Sequence, residues 1–138
     1  MRKSILIFLF ISQLILAEEL LVVANKEFLE QNLTQEEVSA IFLDKRRFFN
    51  KKKILVMNFE VGNALRGCFE KSVLKKSKRS LERYWRKAYY QGKRPPKIIK
   101  SKQMLFSYLD NVAPSIGYCD LNETAEHNVT VLYSVSCD

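Results

Sequence analysis

The chain has 138 residues, 47% of them hydrophobic and 28% charged, and a formal net charge of +8. That length fits one domain and buries about two-thirds of its unfolded surface, so no metal or disulfide is needed to hold a core. The hydrophobic content excludes a disordered basic tail, and four glycines with three prolines exclude fibrous and low-complexity classes.

Residues 1–17 (MRKSILIFLFISQLILA) open on Arg2 and Lys3, run apolar from Ile5 to Leu16 and end on small Ala17. This is the layout of a secretory signal peptide, and its apolar run is too short to cross a bilayer comfortably. The expected product is a single domain over 18–138, periplasmic or secreted and not membrane-spanning. Glu19–Asn25 (ELLVVAN) reads as a buried strand. Thr34 with Glu37 forms a capping box ahead of a helix carrying Val38, Ile41 and Phe42. A basic turn, Arg46 to Lys53, precedes a second strand, Ile54–Phe59. After Gly62-Asn63, the stripe Leu65, Cys68, Phe69 and Val73 predicts a second helix, with the KKSKRS run as a solvated connection. Leu81, Tyr84, Trp85, Ala88 and Tyr89 have the spacing of an amphipathic helix, ended by Gly92 and Pro95-Pro96. Ser101 caps a fourth helix through Val112, and Ile116–Cys119 and Val129–Ser136 read as strands. The alternation of strands and helices predicts an α/β fold.

Without residues 1–17, the 21 remaining basic residues all lie between Lys26 and Lys102, beside eight acids. Beyond Lys102 there are only acids: Asp110, Asp120, Glu123, Glu126 and Asp138. A basic body therefore meets an acidic end. Three cysteines in an exported chain allow one disulfide and one free thiol; Cys119–Cys137 is one candidate pairing, closing a loop worth about 3 kcal/mol. Cys68 sits on an apolar stripe and reads as packed core.

Asn32, Asn122 and Asn128 each begin an Asn-x-Thr triplet, a formal N-glycosylation acceptor. Each also follows an acid by two positions: Glu30, Asp120 and Glu126. That pattern resembles the extended acceptor of bacterial periplasmic glycosylation systems. Chance gives it in all three about once in a thousand at this acid content. The competing reading is polar turn and cap chemistry.

The order of pieces along Val22 to Tyr118 resembles the substrate-binding proteins of phosphate ABC transporters, periplasmic binding proteins of the type II fold. The matching pieces are Asn25-Lys26, Leu33 to Glu37 leading to Ile41-Phe42, Lys53 to Val56, Arg66 with Phe69, Tyr84-Trp85, Tyr90 to Lys93 with Pro95-Pro96, and Ile116-Gly117-Tyr118. The resemblance implies a three-layer lobe with a mixed sheet flanked by helices, and a non-catalytic role. That family clamps phosphate between two lobes, whereas this length supplies one. Its anion loop carries an Arg, then Ser-Gly-Thr, then a helix; here Asn58 to Arg66 keeps Gly62 and Arg66 and introduces Glu60. Gly62, Asn63 and Ala64 can offer backbone N–H groups and Arg66 a fork of donors to phosphate or another small oxyanion. An ordinary capped helix start with an exposed Arg is the alternative.

No catalytic motif, metal-ligand set or cofactor fingerprint is present. His127, the single histidine, reads as a solvated loop residue. Most of the Tyr84, Trp85, Tyr89 and Tyr90 cluster reads as core. The basic runs around Lys45–Arg47, Lys51–Lys53, Lys75-Lys76 and Arg83–Lys87 suit an acidic partner, and export disfavours nucleic acid. Two functions remain open. One is a binding protein for a small anion, working with an ABC transporter or envelope protein. The other is an envelope interaction module whose basic face docks an anionic partner, its ancestral ligand site lost.

Overall fold

The computed structural model describes residues 19–30 and 32–137. The expected signal peptide lies outside the described residues. Strand β1 (Glu19–Asn25) is buried on both faces from Leu20 onward, which accounts for its unbroken apolar run. Thr34 and Glu37 close the expected capping box on α1 (Gln35–Phe42). The basic turn folds into a two-residue hairpin, β2 (Phe48–Phe49) with β3 (Lys52–Lys53), before β4 (Leu55–Phe59). Helix α2 (Ala64–Phe69) runs on into a π-helical turn over Glu70–Leu74, stopped by left-handed Lys75. Helix α3 (Lys78–Tyr89) starts inside the KKSKRS run, because Ser77 accepts from the Ser80 N–H and caps it there. Then come β5 (Lys97–Ile99), α4 (Lys102–Asn111), β6 (Ser115–Asp120), a 3-10 turn over Leu121–Glu126 and β7 (Val129–Ser136).

Five strands form one mixed sheet in the order β5-β4-β6-β1-β7. Strands β4, β5 and β6 are mutually parallel, and β1 pairs antiparallel with both β6 and β7. Helices cover both faces, as the alternation along β6 shows. Tyr118 stacks on Phe69 of α2 with centroids 4.2 Å apart, and Phe42 of α1 packs on Phe69 at 4.5 Å. Its neighbour Gly117 faces α4, where an added Cβ would lie 2.4 Å from the Leu105 side chain. On that side Asn25 donates to the Leu109 carbonyl at 2.6 Å. The buried Tyr118 hydroxyl donates to Asn58 on β4.

The disulfide joins Cys68 to Cys137, with Cα atoms 5.5 Å apart, and Cys119 is a buried free thiol. This corrects the Cys119–Cys137 pairing and the reading of Cys68 as simple core. Cys119 lies opposite Leu21 of β1, and Leu21 lies opposite Ser134 of β7. Two strand spacings, about 9 to 10 Å, exceed the span of about 7 Å that a disulfide tolerates. Cys119 also faces α4, as Gly117 does, whereas Cys68 sits on α2 across the sheet.

Candidate binding site

The parallel strands β4, β5 and β6 end together at Phe59, Ile99 and Asp120. In open α/β sheets, ligands bind beyond the carboxyl ends of such strands. Here β4 feeds the loop Glu60–Asn63, in which Gly62 takes φ +92°, a backbone state that favours glycine. The turn aims Asn63 at the start of α2. Its side-chain oxygen accepts from the N–H groups of Leu65 (2.9 Å) and Arg66 (3.1 Å). The capped-start reading of this loop is therefore realised in the hydrogen bonding.

Arg66 is half-buried, not exposed. Its Nε donates to Glu70 at 2.8 Å and its Nη1 to the Phe59 carbonyl at 2.7 Å. Two donors of the guanidinium fork are thus turned inward, toward an acid one helical turn away and toward the strand that precedes the loop. Exposed Glu60 adds negative charge beside them.

Gly62, Asn63, Ala64 and Arg66 all line one groove of about 1300 Å³. Its walls are α2 with its π turn, α3, and the segment Pro95 to Ile98. Along the groove, Val61 is 69% exposed, Tyr89 58% and Ile98 44%. Lys71, Lys78 and Arg86 stand exposed around it, with Glu82 among them. The groove is therefore apolar and aromatic within and mostly basic at the margin.

A smaller pocket of about 330 Å³ opens between the starts of α2 and α4. Asn63 and Ala64 line it with Lys100, Ser101, Lys102 and Asp120. Ser101 caps α4 by accepting from the Met104 N–H at 3.1 Å. Lys102 is hydrogen-bonded to Glu123 and lies 3.5 Å from Asp120. The Glu123 bond, reinforced by Asp120, holds the Lys102 ammonium above the ordinary lysine range. Residue pattern alone does not bring these residues to the site, because β5, which sets the start of α4 beside β4, is only three residues long.

Much of the basic charge has structural work. Arg46 grips Glu30 through two bonds of 2.9 Å, and that bond holds the Glu30 carboxyl below its usual range. Arg47 bonds Asp44 (3.1 Å) and the Gly92 carbonyl (3.0 Å). Lys45 and Lys76 both lie 5.7 Å from the Tyr84 ring centre. Tyr84 donates to the Leu43 carbonyl at 2.5 Å, and burial raises its pKa. Tyr89 and Tyr90 are exposed, which corrects the reading of the aromatic cluster as mostly core. His127 is half-buried and stacked on Phe106 at 3.7 Å, so it is not a solvated loop side chain. Among the described residues no group of His, Cys, Asp and Glu side chains could hold a metal ion, and no helix is long and apolar enough to cross a membrane.

No protein-family model and no curated protein sequence matches the chain. Solved structures do match it in fold. An ABC-type phosphate transport receptor from Vibrio cholerae aligns with TM-score 0.65 and 18% identity, over 83% of this chain and 45% of that one. A Clostridium perfringens protein, assigned as a phosphate ABC transporter substrate-binding protein and solved with bound phosphate, gives TM-score 0.67 and 17% identity, over 83% and 44%. PstS from Borrelia burgdorferi gives 0.64 and 16%, over 83% and 46%. The chain thus shares the periplasmic-binding-protein-like fold of these receptors while spanning under half their length.

Proposed function

We propose that this protein is a non-catalytic, exported binding protein that docks an acidic protein segment in the groove beside α2 and α3. The observation that carries this reading is the internal commitment of the anion loop. Asn63 occupies the N–H groups of Leu65 and Arg66, its own N–H donates to the Glu60 carbonyl at 3.1 Å, and Arg66 is bonded to Glu70 and Phe59. A free oxyanion would have to displace those partners on an open surface, where little of it could be buried. The groove offers what a protein segment needs: exposed Val61, Tyr89 and Ile98 for apolar contact, and Lys71, Lys78 and Arg86 for carboxylates. The Cys68–Cys137 disulfide supports an oxidising, periplasmic or secreted location. An envelope protein, such as a component of an ABC transporter, is the partner class.

A second reading has one specific observation in its favour: among the structures that share this fold, one is a phosphate transport receptor and another holds bound phosphate. Under that reading Gly62, Asn63, Ala64 and Arg66 take a small oxyanion. Titration calorimetry separates the two. With the protein lacking residues 1–17, we expect no heat at millimolar phosphate and retention on immobilised polyglutamate. Phosphate heat that disappears in a folded Arg66→Ala variant would overturn the docking reading in favour of the anion one.

A further inference from the structure

We propose that the exported protein is an N-glycan acceptor, modified at Asn122 and Asn128 and spared at Asn32. This does not depend on what the groove binds. The three sequons carry the same motif, but the fold treats them differently.

An enzyme that reads this motif needs three side chains at once: the carboxylate two residues ahead, the amide and the hydroxyl. At Asn32 the fold has already used two of the three. Glu30 is held by Arg46 through both carboxylate oxygens, and Thr34 accepts from the Glu37 N–H at 3.1 Å to cap α1. Between them Leu33 is buried, and its N–H donates to the Leu132 carbonyl of β7 at 3.0 Å. Presenting this sequon would mean opening a helix cap, an ion pair and a core position together.

Along the arm from Asp120 to Thr130 the ties are different: Lys102 holds Glu123, His127 stacks on Phe106 at 3.7 Å, and Thr130 lies opposite Ala24 of β1, while both Asn side chains stay outside. Asn122 and Asn128 are both exposed. Thr124 donates within its own turn, to the Leu121 carbonyl at 2.9 Å. Asp120 is paired with Lys102, an exposed side chain, at 3.5 Å. The third sequon runs from extended His127 into β7, which pairs with β1 along one edge only among the described strands. No groove-lining residue belongs to this arm, so glycans here leave the groove open.

The donor is an oligosaccharide joined to a lipid through pyrophosphate. The Asn amide nitrogen attacks the anomeric carbon and a C–N bond forms. The C–O bond to the pyrophosphate breaks, the lipid pyrophosphate leaves with the electron pair, and the amide nitrogen gives up one proton to a base.

The test is the intact mass of the folded, disulfide-bonded protein after incubation with a bacterial oligosaccharyltransferase that requires the leading acid, plus its lipid-linked donor. Two glycan increments are expected. Asn122→Gln and Asn128→Gln each remove one, and Asn32→Gln removes none. An unmodified mass while a control acceptor is glycosylated would overturn the proposal, as would an increment that vanishes in Asn32→Gln.

Discussion

Tyr118 and Cys119 are neighbours on β6, facing opposite sides of the sheet, and both are ionisable groups packed in apolar surroundings. Burial pushes the Cys119 thiol up to about 12, and burial also raises the Tyr118 phenol above its ordinary value of 10. Each holds its proton more firmly folded than unfolded. Their contribution to stability is complete below about pH 8.5 and is lost as pH rises toward about 12. The urea midpoint is therefore expected to hold level to about pH 8.5 and fall above it. Cys119→Ala should flatten the early part of that fall relative to the parent, because the thiol titrates first on unfolding. A parallel decline in both proteins across pH 8.5–10 would remove Cys119 from the account.

The disulfide fastens the end of an edge strand to the helix that follows the anion loop. Cys68 and Cys137 are 69 residues apart in sequence. Closing a loop of that size restricts the unfolded chain by about 4 kcal/mol. Cys137→Ser is expected to lower unfolding stability by about 2–5 kcal/mol, and reduction of the parent should lower it comparably. Denaturation with and without reductant measures both; an unchanged midpoint would contradict the pairing. Much of the secondary structure was legible from residue pattern. The apolar runs of β1 and β7 give the observed bounds, and the Thr34 and Ser101 caps mark true helix starts. What was not legible depends on distant neighbours. Lys97–Ile99 becomes a strand because β4 offers it an edge, and Phe48 to Lys53 becomes a hairpin too short for period-two alternation to register. Cys137 finds Cys68 because the sheet order puts β1 between β6 and β7. At the candidate site, the motif points to Gly62, Asn63, Ala64 and Arg66, and helical spacing, i to i+4, makes Glu70 the partner of Arg66.

Across the whole molecule, the basic residues are not equivalent. Arg46 and Arg47 are paired with acids, Glu30 and Asp44, whereas Lys71, Lys76, Lys78 and Arg86 line the groove. The groove set should govern docking in the groove. Lys78→Glu with Arg86→Glu is expected to weaken retention on polyglutamate strongly at low salt, with the difference shrinking as ionic strength rises to about 1 M and the Debye length falls to about 3 Å. Equal retention of parent and variant at low salt would place the docking surface elsewhere. The sheet order carries one more consequence, about timing. The first strand of the domain lies between the two strands that come last in the chain, so neither edge of β1 has a partner until β6 and β7 have emerged. Its buried run Leu20–Asn25 must wait for nearly the whole polypeptide. Such non-local closure is slow. A chain made from its front end therefore holds its first strand unpaired until its last residues are made, and the front strand is the last piece of the sheet to be enclosed.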